Sequence, residues 1–208
     1  MQTKSAATHP QPALVLASGS PRRSELLRTL GLTFTVVPSQ ADESISHNQP
    51  PGAIVEALAE RKARTVVPAL QDQADAANRV LVIGADTIVV VDGEILGKPA
   101  DRDHAAHMLQ RLQGRTHDVY TGLCIAALPA GTFQTAHSRT TVTMRPLTPV
   151  QIDRYIATGE PMDKAGAYAI QGFGATLVRQ IEGDYFTVVG LPLALLSDML
   201  AAHDVLVY

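Results

Sequence analysis

Residues 80–93 read VLVIGADTIVVVDG. Val80–Val91 is an apolar run, too short to cross a bilayer and long enough for a buried central strand. Asp92-Gly93 behind it is a strong hairpin signal, because both residues tolerate the positive φ of a tight turn. Asp86 interrupts the run, and only Thr87 and the small Gly84 share its exception. A carboxylate in a buried strand is costly unless it coordinates a metal, pairs with a cation or is strongly hydrogen-bonded. Asp86 is therefore the first candidate functional residue, with an amide-bonded strand-end Asp as the structural alternative.

On the N-terminal side, residues 13–17 (ALVLA) predict a short buried strand. Ser20-Pro21 then opens a helix that Gly31 ends. Residues 33–37 predict a second strand, followed by the acidic loop Ala41–Ser44, and a helix is expected over 53–67. Beyond the hairpin, Asp101 caps a helix whose Ala105, Met108, Leu109 and Leu112 recur at helical spacing. Strands are expected at 117–128 and 133–144, and a helix from Thr148-Pro149 to Gly159. A further strand is expected at 175–181, a short one at 185–189 and a helix over 192–202. The glycine-rich stretch 163–174 has no periodicity and reads as a functional loop. Strands alternating with helices, with hairpins inserted, predict an α/β fold on a mixed sheet with helices on both sides.

Two further features break local rules. Pro21-Arg22-Arg23 puts two cations in the first turn of a helix, where the macrodipole is already positive. Either an anion is held there by backbone N–H groups and guanidinium forks, beside the Ser18-Gly19-Ser20 turn, or both arginines are solvated. Lys62 projects from the middle of the stripe Ile54, Val55, Leu58, Ala59 and Val66, so it either snorkels or meets a negative partner in a cleft. Glu43 could join Asp86 as an oxygen ligand of the kind a hard Mg²⁺ takes, although spacing alone does not pair them.

Composition narrows the classes. A net charge of −3 argues against a nucleic-acid binder held by phosphate contacts along a basic surface. The single cysteine, Cys124, cannot staple a fold and sits in an apolar run, which suits a reducing, cytoplasmic setting. No apolar run suggests a membrane span, and residues 1–12 read as a flexible polar tail without an h-region. Gly93–Pro99 imitates a Walker loop but is one residue short and has Pro99 where a Ser or Thr should bind magnesium. His104 and His107 lie on the polar side of their helix, as solvated histidines do.

Leu16–Leu27 (LASGSPRRSELL), Gly84–Thr87 (GADT), Gly97-Lys98-Pro99, Tyr155–Gly172 (YIATGEPMDKAGAYAIQG) and Val189–Pro192 (VGLP) together resemble the Maf-like nucleotide pyrophosphatases. The resemblance runs from about residue 13 to 202. It implies one catalytic domain over 13–208 with two lobes flanking a nucleotide cleft (a Maf/ITPase-like fold), and a homodimer. It implies hydrolysis of nucleoside triphosphates to a monophosphate and pyrophosphate with Mg²⁺ or Mn²⁺. Arg22, Thr87 and Gln171 match the subgroup that prefers dTTP and UTP. Asp86 is then the expected proton acceptor and, with Glu43, the metal ligand. Ser18, Arg22, Arg23, Lys62, Thr87, Lys98 and Gln171 are the expected substrate-binding residues. A nucleotide-sensing regulator of septum formation is the competing implication of the same resemblance. Whether Asp86 is base, ligand or both stays open.

Overall fold

The computed structural model describes residues 11–44 and 49–208. Most of the expected N-terminal tail, residues 1–10, lies outside them. Seven strands form one mixed sheet in the order β2-β1-β3-β5-β6-β7, with β4 also pairing β3. β1 (Ala13–Leu16) lies parallel to both β2 (Phe34–Val36) and β3 (Val80–Val91). β4 (Glu94–Leu96), β5 (Thr116–Leu128), β6 (Thr132–Met144) and β7 (Val178–Glu182) extend it by antiparallel steps. The parallel pairs are joined through α1 (Pro21–Thr29) and α2 (Pro51–Val66), as such crossovers require. The β3–β4 hairpin turns at Asp92 and Gly93, both at positive φ, as the sequence predicts.

The strand period of two sorts the core. Leu81, Ile83 and Ala85 of β3 pack with α1 and with α6 (Leu193–Ala201). Further along the same face, Val89 and Val91 pack with α3 (Arg102–Leu112), α4 (Pro149–Ala157) and the segment around Ala167-Tyr168. Val80, Val82, Ile88 and Val90 point the other way, onto α2. One face therefore carries two groups of elements with a gap between them, and the other face carries α2.

α2 lies unusually close to the sheet. A Cβ added to Gly84 would stand 2.2 Å from the carbonyl oxygen of Ala59, and one added to Gly122 would stand 2.2 Å from that of Val55. Both glycines are on neighbouring strands, so they form a notch that admits the helix backbone. This contact fixes the height of Lys62 above β3.

Two expectations need correction. Residues 185–189 form a short helix, α5 (Tyr185–Val189), and not a strand. Asp184 caps it by accepting from the N–H groups of Phe186 and Thr187 at 3.2 and 2.8 Å, and Gly190 ends it in the left-handed region. The caps override the strand preference of the Tyr185–Val189 run. The expected strand over 175–181 begins at Val178, because Gly172–Thr176 forms a 3-10 turn. The remaining helices and strands agree with the sequence reading to within a few residues at their ends. Met108, Met144, Met199 and Cys124 are buried, and His104 and His107 are exposed.

Candidate active site

β1 pairs β3 only as far as Ile83, and β4 rejoins β3 at Val89. Among the described residues no strand pairs residues 84–88 on the side away from β5. The chain leaving β1 turns through Ser18-Gly19-Ser20 into α1 beside this gap. A cavity of about 570 Å³ opens there, between α1, α2 and the segment 163–171. Ser18, Arg22, Arg23, Glu43, Lys62, Asp86, Thr87, Lys98 and Gln171 all line it. All nine residues singled out in the sequence therefore meet in one place.

Asp86 and Thr87 sit at the gap and project to opposite faces of β3. Asp86 turns toward α2, where the Lys62 ammonium donates to its Oδ1. Their side chains are only 12% and 11% exposed, so each charge depends on the other. Lys62 Nζ also lies 2.8 Å from Oε1 of Glu43, and Lys98 Nζ lies 3.5 Å from Oε2. Asp86, Lys62, Glu43 and Lys98 thus alternate in sign along one wall of the cavity. The hydrogen bond and charge of Lys62, aided by Lys98, hold the Glu43 carboxyl below the usual carboxylate range against its partial burial.

Thr87 faces α1. Its Oγ1 accepts from Arg23 Nη2 at 3.2 Å and lies 2.9 Å from Thr121 Oγ1. The Arg23 guanidinium also donates to Ser18 Oγ at 3.1 Å and to the carbonyl oxygen of Gly190 at 2.7 Å. Arg23 is therefore not a free first-turn cation. It ties α1 to β3 and to the end of α5, and burial lowers its pKa while the charge of Asp86 opposes the shift. Arg22 is the more open of the pair, 31% exposed and 4.0 Å from Asp163. Ser20 makes no side-chain cap bond; Ser18 Oγ accepts from the Ser20 N–H instead.

The opposite wall adds residues the sequence did not single out individually. Asp163, Lys164 and Tyr168 line the cavity there, and Ser39, whose Oγ lies 2.8 Å from Thr65 Oγ1 of α2, lines it on the α2 side. The Lys164 ammonium donates to Asp163 Oδ1 at 2.5 Å and to the Glu160 carbonyl oxygen at 2.8 Å. Tyr168 is buried with His117, whose Nε2 lies 2.7 Å from the phenol oxygen. A lysine following Asp163 within a glycine-rich, aperiodic stretch was the available signal for this wall.

The family model described as Maf-like protein matches residues 13–203. The chain belongs to the Maf-like family. Among its relatives is the dTTP/UTP pyrophosphatase of Moorella thermoacetica, 57% identical over 192 residues, spanning 92% of this chain and 95% of that one. The dTTP/UTP pyrophosphatase of Pelotomaculum thermopropionicum is 51% identical over 187 residues, with 90% and 94% covered. The solved Staphylococcus aureus Ham1 protein matches at 14% identity and a TM-score of 0.38, over 80% of this chain and 79% of that one. That likeness is too slight to carry the fold, which stands on the strand order of this Maf-like chain.

Asp86 and Glu43 present hard carboxylate oxygens at one wall, the type Mg²⁺ or Mn²⁺ takes, and Mg²⁺ is commonly held by one or two carboxylates together with substrate phosphates. The described residues contain no cluster of three or more His, Cys, Asp or Glu side chains able to hold an ion by themselves. The residues fit a cation shared with a phosphate-bearing ligand better than one caged by protein. No helix of the described residues is long and apolar enough to cross a membrane.

Proposed function

We propose that this Maf-like chain hydrolyses dTTP and UTP to the nucleoside monophosphate and pyrophosphate. The observation that carries the reading is the convergence of Arg22, Arg23, Lys62 and Lys98 on one cavity with the buried carboxylate of Asp86. Cations alone would suit any polyphosphate binder. A carboxylate set among them, in a chain of net charge −3, is useful where a water must lose a proton beside a phosphorus atom. The relatives named dTTP/UTP pyrophosphatase support the choice of nucleotides.

In this reading Asp86 orients a water and takes its proton as the oxygen attacks the α-phosphorus. Lys62 stays hydrogen-bonded to Asp86 and presents charge to the phosphate chain. Arg22, Lys98 and the first turn of α1 neutralise the pyrophosphate as it leaves, where stabilising developing charge matters most. Arg23 holds Ser18 and Thr87 in place. The Gln171 amide, donor and acceptor at once, pairs with the O4 and N3–H of uracil or thymine. Asp86 and Glu43 are the residues that would hold Mg²⁺ or Mn²⁺, which supplies charge neutralisation to the phosphates when bound. Residues 13–208 act as one catalytic domain in this account, and the enzyme works as a cytoplasmic homodimer.

Chromatography of products from dTTP and UTP, with and without added Mg²⁺, tests the reading. Monophosphate and pyrophosphate in equal amounts are expected. Orthophosphate with a remaining diphosphate would mean cleavage at the γ-phosphorus and would sink it.

A further inference from the structure

The segment Ala169–Gly174 carries Gln171 and is held at its far end by a carboxylate that does not line the cavity, and at its near end by a tyrosine bonded to that same carboxylate. Glu160 Oε1 accepts from the N–H of Gly174 at 2.8 Å and from the Tyr155 hydroxyl at 2.8 Å, and Oε2 accepts from the N–H of Phe173 at 3.0 Å. The Tyr155 oxygen in turn accepts from the N–H of Ala169 at 3.1 Å. Gln171 therefore stands two residues from the anchored Ala169 and two from the anchored Phe173.

The chain is shaped around this clamp. Gly172 has φ +62°, and a Cβ there would lie 2.3 Å from Glu160 Oε2. A Cβ on Gly174 would lie 2.2 Å from the Ala169 carbonyl oxygen and 2.7 Å from the Tyr155 oxygen. The two glycines let the segment fold back on itself against Glu160. Tyr155 is 5% exposed, and burial raises its pKa, so its hydroxyl remains a donor to the carboxylate. The Glu160 main chain is fixed as well, since its carbonyl oxygen accepts from Lys164 of the cavity wall.

We infer that Glu160 is a positioning residue that sets base selectivity by clamping, directly at Phe173 and Gly174 and through Tyr155 at Ala169, the segment that presents Gln171. The inference rests on the reading of Gln171 as the base-recognising group. A glutamine at 160 cannot reproduce the clamp. Three donors converge on the two oxygens, and an amide offers one oxygen and one NH₂, which would face a backbone N–H. Loosening Gln171 removes paired hydrogen bonds to the preferred base and leaves the phosphate chemistry in place.

The test compares kcat and KM for dTTP, UTP, dCTP and dATP in wild type, Glu160→Gln and Gln171→Ala, with amide exchange read at Phe173 and Gly174. Glu160→Gln is expected to lower the kcat/KM preference for dTTP over dCTP by roughly tenfold or more, chiefly through KM for dTTP. Exchange at both amides should speed up. An unchanged preference in Glu160→Gln, or an equal loss for all four nucleotides, overturns the inference. Should Glu160→Gln fail to fold, Tyr155→Phe carries the same test, since it removes the Tyr155 link between Glu160 and Ala169 and leaves Glu160 bonded to Phe173 and Gly174. Preference retained in Gln171→Ala, or absent from wild type, overturns the base-reading role and this inference together. Preference lost in Gln171→Ala and intact in Glu160→Gln overturns the clamp alone.

Discussion

The Lys62 ammonium donates to Oδ1 of Asp86, joining the C-terminal half of α2 to the stretch of β3 that is paired only on its β5 edge. Each residue violates the pattern of its own element, and each supplies the reason for the other. The contact also links fold to site, because the glycine notch that seats α2 decides whether Lys62 reaches Asp86.

Gly84→Ala tests that link. The new methyl would meet the Ala59 carbonyl oxygen, which is backbone and cannot turn aside. Overpacking of this kind costs roughly 1–3 kcal/mol. α2 should lift, and Lys62 should leave Asp86. Thermal unfolding and kcat for dTTP are both expected to fall. An unchanged Tm would show that the notch has slack.

Arg23 and Arg22 should separate by stability. Arg23→Ala removes bonds to Ser18, Thr87 and Gly190, and hydrogen bonds to charged groups contribute about 1.5–3 kcal/mol each when partners are left unmade. Arg22→Ala breaks only a long contact with the exposed Asp163, and its stability should stay within about 0.5 kcal/mol of wild type. Both substitutions should weaken turnover. Equal destabilisation by the two in urea unfolding would contradict the assignment.

His117 should make the fold acid-sensitive. Burial pushes its pKa down from 6.5 to about 4, with the charge of Asp118 opposing weakly. The unfolded chain then takes up a proton before the folded one does. Stability contributed by the neutral ring is full above pH 6.5 and is lost as pH falls toward 4, about 3 kcal/mol in all. His117→Gln keeps a hydrogen-bonding partner for Tyr168 and removes that proton. Its stability should fall less steeply than wild type between pH 6.5 and 4. Parallel curves would mean that His117 does not titrate differently on folding.

Asp86 and Lys62 were legible in the sequence because a charge inside an apolar strand or stripe is anomalous at short range. Arg23 was legible as an anomaly, but not as the tie between α1, β3 and the end of α5. Its partners Thr87 and Gly190 lie 64 and 167 residues away, and no periodicity relates them. Glu43 and Lys98 sit outside helices; the chemistry of a carboxylate made Glu43 a candidate ligand, but spacing did not pair it with Asp86, and the family resemblance brought both residues to the site. Glu160 and Tyr155 carry no local signal, since a glutamate after a helix and a tyrosine on its apolar face are both ordinary. The run Tyr185–Val189 read as a strand from its β-branched and aromatic residues, although Asp184 and Gly190 already marked both ends of a helix.

Asp86→Asn tests the central claim most directly, with kcat for dTTP at saturating Mg²⁺ and ligand-free thermal unfolding measured on the same preparation. The substitution is nearly isosteric and keeps hydrogen-bonding capacity, but it removes the charge that a water proton needs. Lys62 retains Glu43 at 2.8 Å, so the variant should fold with some loss of Tm. The account predicts a fall in kcat on the order of 10²–10⁴-fold, the range associated with losing a general base. A folded Asp86→Asn protein that keeps most of its kcat would contradict it and move the search to Glu43.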